Sequence, residues 1–76
     1  MNTRQIREEL DDFSTDRINY LIEQYIHSER DMAIIRRNLI DDIIFEDMEP
    51  EFELSVRRLK TIVYKGMEKI FRHISD

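Results

Sequence analysis

The sequence predicts an all-α protein: a small bundle of four to five helices with a C-terminal helix-turn-helix. Three observations predict it. Apolar residues recur at offsets of three and four along most of the chain. Serines stand where those stripes begin, at Ser14, Ser28 and Ser55. One Gly and one Pro in 76 residues leave little punctuation for turns, and alternating runs are short. A chain of this length makes a single helical domain over residues 1–76, too short for two cores or a sizeable catalytic cleft.

Residues 1–13 read as a weak helix or arm, with Ile6, Leu10 and Phe13 at helical spacing among charges. Residues 14–43 read as two supporting helices. Ser14, Thr15 and Asp16 supply side-chain oxygens for free backbone N–H groups, and Ile18, Leu21, Ile22, Tyr25 and Ile26 follow as one stripe. Ser28 with Asp31 forms a short capping box. Met32, Ile35, Leu39, Ile40 and Ile43 carry the next stripe, and Asp41 and Asp42 end that helix.

Residues 44–74 are expected to hold the helix-turn-helix. Phe45, Met48 and Phe52 have helical spacing, but Pro50 removes a backbone hydrogen bond and constrains the residue before it. A short, distorted helix is expected there, the alternative being a turn around Met48 and Glu49. Ser55 then caps the longest stripe: Val56, Leu59, Val63, Met67, Ile70 and Ile74, widened by Ile62 and Phe71. Gly66 inside it costs about 1 kcal/mol against Ala, so it serves either close packing or a bend.

Composition excludes several functions. With no cysteine there is no disulfide scaffold, thiolate zinc site or cysteine nucleophile. No apolar run approaches the roughly 18 residues of a membrane span, and no signal-peptide pattern is present. The expectation is a cytoplasmic protein with no membrane partner. His27 and His73 lack a ligand partner at useful spacing and read as surface or interface residues, so no metal is expected. Asp11-Asp12 and Asp41-Asp42 are adjacent pairs that diverge on a helix. With no Gly-rich phosphate loop either, neither a cofactor nor an enzyme is expected.

Charge is unevenly placed. The net charge is −5, but residues 1–20 carry three basic and five acidic residues, and residues 21–50 three and eight. Residues 51–76 reverse this, with six basic against four acidic. A general nucleic-acid coat is basic overall, so any DNA contact must be local and C-terminal. In "LSVRRLKTIVYKG" the apolar positions face inward, leaving Arg57, Arg58, Lys60 and Thr61 outward near the helix start. Arginine bonds bidentately to guanine edges, while lysine and threonine suit phosphates and mixed contacts. Ser55 adds a helix N-terminus, itself a phosphate-binding feature.

The segment Ser28 to Ile74, about three fifths of the chain, resembles region four of bacterial sigma factors. It is closer to the small region-four-like proteins of prophages in low-GC Gram-positive bacteria. The landmarks are "RRNLIDDIIFEDM", "EFELS" and "SVRRLKTIVYKGMEKI". The resemblance implies that the last helix reads promoter DNA and that the domain also meets RNA polymerase. It places Ser55, Arg57, Arg58, Lys60 and Thr61 at recognition-helix positions, followed by an aromatic at Tyr64. Three departures stand out. The family usually has a small residue at the place of Glu49, where the bracing helix touches the recognition helix. It commonly has Gly or Asp at the left-handed position held by Glu53, and an ordinary helix former at the place of Pro50. Glu46, Asp47, Glu49, Glu51 and Glu53 would repel phosphates within one Debye length, about 8 Å at physiological salt. DNA binding by the chain alone is therefore expected to be weak.

Two function classes follow. One is a phage-derived DNA-binding transcriptional regulator whose partners are double-stranded DNA and RNA polymerase, acting as a homodimer through the last helix or beside RNA polymerase. The other is an acidic inhibitor of the anti-CRISPR or host-polymerase/nuclease type. It would keep the helix-turn-helix shape, lack DNA binding, and take a basic protein as partner.

Overall fold

A computed structural model describes residues 3–74, which form five helices: α1 (Thr3–Leu10), α2 (Thr15–Tyr25), α3 (Glu29–Leu39), α4 (Phe45–Phe52) and α5 (Val56–Ile74). α5 is the axis of the bundle. Its 19 residues rise about 28 Å, most of the 36 Å longest dimension, and it packs against all four other helices. Its inner stripe of Leu59, Ile62, Val63, Met67 and Ile70 is buried, together with Gly66.

Local signals start and stop the helices. Ser14 Oγ accepts the Arg17 N–H at 3.2 Å, and Ser28 Oγ accepts the Asp31 N–H at 3.3 Å, each covering a donor that the first turn leaves free. α3 ends at Leu39. Asp42 then takes a left-handed φ of 56°, and the Ile43 N–H reaches back to the Arg37 carbonyl at 3.0 Å. α4 continues through Pro50 to Phe52, so there is no turn at Met48 and Glu49. The proline leaves the Glu46 carbonyl without its i+4 donor, and Glu46 is exposed to water.

Burial decides one open alternative and corrects one expectation. Of weak helix and arm, the opening segment is the helix, and it belongs to the core, since Ile6 and Leu10 are 3% and 2% exposed and α1 packs on α5. On α3 the buried line is Ile34, Ile35 and Asn38, while Met32, Leu39 and Ile40 are only half-buried. α3 is covered by α2, α4 and α5 at once, which turns Ile34 inward although it lies off the expected stripe.

Side chains far apart in sequence fasten the helices. Buried Asn38 accepts from the Arg7 guanidinium at 2.7 Å and donates to the Ile43 carbonyl at 3.0 Å, joining α1, α3 and the link to α4. Arg36 donates to Asn19 at 2.9 Å and Glu23 at 3.1 Å on α2. Gly66 serves close packing: a Cβ there would overlap Ile35 Cδ1 and stand 3.3 Å from Ile35 Cγ1. α5 is continuous through this glycine.

Candidate functional site

The start of α5 is built by a turn and a cap. α4 ends at Glu53, which adopts φ 55° and ψ 39°, a left-handed conformation. This costs a residue with a Cβ about 1–2 kcal/mol. One residue on from Leu54, Ser55 Oγ accepts the Arg58 N–H at 3.2 Å, and the Ser55 carbonyl accepts the Leu59 N–H at 2.9 Å. Ser55 is exposed, but its oxygen is engaged as the cap.

Arg57, Arg58 and Lys60 are exposed. Among the described residues none of the three makes an ion pair or a side-chain hydrogen bond. Thr61 is half-buried, and its hydroxyl donates back to the Arg57 carbonyl at 3.0 Å. These side chains do not share one face. At about 100° per residue, Arg57 lies about 100° from Arg58, and Lys60 about 160° from it, toward the apolar edge. Thr61 lies between the two arginines.

A groove of about 350 Å³ opens between α5 and the start of α3 and is lined by Arg58 and Thr61 but not by Arg57 or Lys60. Its apolar lining is Ile26, Ile35, Ile62 and Gly66, and its further charged lining is Lys65, Lys69 and Asp31. Lys65 and Lys69 are not among the residues the sequence singles out for a site. The signal was present: Arg58, Lys65 and Lys69 are spaced by seven and four, one stripe on a helix. Asp31, the carboxylate in this lining, already accepts from Arg30 at 3.3 Å.

The acidic helix α4 sits on the other flank of α5. Met48, 0% exposed, makes the buried contact, while Glu49 is exposed. The expected charge in the helix contact is therefore absent, because Glu49 lies one residue, or about 100°, around from the buried position. Phe45 meets Tyr64 edge-on, ring centres 6.1 Å apart, so Tyr64 closes the α4–α5 junction. Glu51 is clasped by Arg37, with the guanidinium NH2 2.8 Å and Nε 3.0 Å from Oε2. That hydrogen bond, and then the charge of Glu51, raise the Arg37 pKa above its ordinary value. Glu46, Asp47, Glu49 and Glu53 make no ion pair among the described residues.

His73 stacks on Tyr25, ring centres 3.9 Å apart and nearly parallel, tying the ends of α5 and α2. No group of three or more His, Asp or Glu side chains is placed to hold a metal among the described residues. No described helix is long and apolar enough to cross a membrane. The chain matches no known family model, no curated protein and no solved structure.

Proposed function

We propose that this chain is a phage-derived DNA-binding transcriptional regulator of the sigma region-four type, and that α4, the Glu53 turn and α5 act as a helix-turn-helix. It is read as a binding protein and not an enzyme, working in the cytoplasm on double-stranded DNA beside RNA polymerase. One observation carries this: Arg57 and Arg58 stand exposed on the first turn of a capped helix, with no acid of the described chain engaging them. Unengaged guanidinium groups keep their bidentate donors for guanine edges or phosphates. The Arg37–Glu51 ion pair offsets one carboxylate of α4, the acidic helix beside α5.

Fluorescence anisotropy with a pool of promoter duplexes tests the reading. Binding is expected at low salt and weakens as salt rises. Replacing both arginines, Arg57→Ala with Arg58→Ala, is expected to lower affinity at least about tenfold, as loss of a good base contact does. Absence of binding at low salt, or binding indifferent to the double substitution, overturns it.

A second reading is favoured by the exposed, unpaired carboxylates Glu46, Asp47 and Glu49 of α4. They suit an acidic inhibitor that docks on a basic protein channel. A stoichiometric partner captured from host lysate, released by salt and insensitive to the arginine substitutions, would select this reading over the first.

A further inference from the structure

We propose that the groove between α5 and the start of α3 carries the phosphodiester backbone of duplex DNA, gripped by Arg58, Lys65 and Lys69. The inference rests on the DNA reading above and extends it from the first turns of α5 to most of the helix.

Three observations carry it. The first is alignment. Arg58, Lys65 and Lys69 fall within about 40° of one another around the helix, and all three line the groove. The second is availability. All three are exposed, and none is engaged by an acid among the described residues. The carboxylate in the lining, Asp31, shares its charge with Arg30. Three cations therefore face one paired anion. The third is length. Arg58 to Lys69 spans about 16 Å of helix rise, whereas the DNA major groove is about 12 Å wide. A helix that presents its first turn to base edges must leave its later turns beside the flanking backbone, which is where Lys65 and Lys69 stand.

Gly66 forms part of the groove floor: lacking a side chain, it lets Ile35 and Ile26 close directly over the α5 backbone. Apolar lining of this kind suits sugar edges, and the cations above it suit phosphate oxygens. Phosphate contacts set register and affinity without reading sequence, so Lys65 and Lys69 supply grip while the first turn of α5 supplies recognition, with Arg58 where the two meet.

The test is the salt dependence of binding to a random-sequence duplex, measured for the full chain and for Lys65→Ala with Lys69→Ala. Each neutralised phosphate contributes about 0.9 to the slope of log affinity against log salt. The double variant should therefore lose about 2 from that slope, with unchanged helical circular dichroism. The amide resonance of Gly66 should shift on adding the duplex. A slope unchanged by the lysine substitutions, in a chain that does bind duplex, overturns the groove and leaves the reading based on Arg57 and Arg58 standing. No duplex binding by the unmodified chain at low salt overturns both. A Gly66 shift with millimolar inorganic phosphate as large as that with duplex assigns the groove to small phosphate ligands, and also overturns the proposal.

Discussion

Three arginines of α1 and α3 and five cations of α5 are used in opposite ways. Arg7, Arg36 and Arg37 each reach a different helix or link: Arg7 to Asn38, Arg36 to Asn19 and Glu23, Arg37 to Glu51. Arg57, Arg58, Lys60, Lys65 and Lys69 reach no acid among the described residues. Yet Glu46, Asp47 and Glu49 stand exposed on the helix next to α5. Opposite charges on these neighbouring helices stay unpaired, whereas on α3 they have been joined. The lesson is that these basic residues divide into those that fasten helices and those left to solvent or to another molecule, while Arg4 and Arg30 pair only within their own helices. Exposure alone does not separate them, since Arg37 and Glu51 are both substantially exposed.

The contrast breaks most visibly where a fastening cation meets a buried partner. Asn38→Ala removes the acceptor of Arg7 and the donor to the Ile43 carbonyl. It should destabilise the fold by about 1–3 kcal/mol, the cost of leaving such groups unsatisfied, read by urea denaturation. A loss below about 0.5 kcal/mol would show that Arg7 is not a fastener. Next is the packing beneath the unfastened cations. Gly66→Ala gains up to about 1 kcal/mol in helix propensity, but must push Ile35 aside in a full core, at about 1–3 kcal/mol. The net expectation is a destabilisation of about 1 kcal/mol by the same measurement. A stabilised variant would mean that α3 and α5 are not held in close contact.

The smallest effect sharpens the comparison most directly. Glu51→Gln should lower the thermal midpoint slightly, and only at low salt, because an exposed pair is screened. Arg58→Ala should leave it unchanged. Equal shifts for the two variants would erase the distinction between fastening and unfastened cations. On the guanidinium side, salt and not pH is the useful variable. Glu51 raises the folded pKa of Arg37, so the contribution is fully present at neutral pH and is lost only as pH climbs past that raised value.

Much of the architecture was legible because it is local. Ser14, Ser28 and Ser55 cap helices that begin one residue later, and the predicted stripe of α5 supplies its buried face. Caps and stripes act over three or four residues, so their geometry is written in spacing. The candidate site was legible only in part. Arg57, Arg58, Lys60 and Thr61 do lie near the start of a long capped helix, but they split around it, and only Arg58 and Thr61 join the groove. Lys65 and Lys69 share the helix with them, yet the concavity they line also needs Ile26 and Ser28 from the α2–α3 link and Ile35 from α3. No helical period can announce that.

The sequence by itself determined α2, α3 and α5 with their caps, the inward face of α5 and the reversal of charge after residue 50. Tertiary structure alone decided that α1 belongs to the core, that Met48 and not Glu49 meets α5, and which cations find partners. Arg7 and Asn38 are 31 residues apart, and Arg37 and Glu51 are 14 apart. Such pairs exist only once helices have docked, because docking brings together side chains that no local periodicity relates.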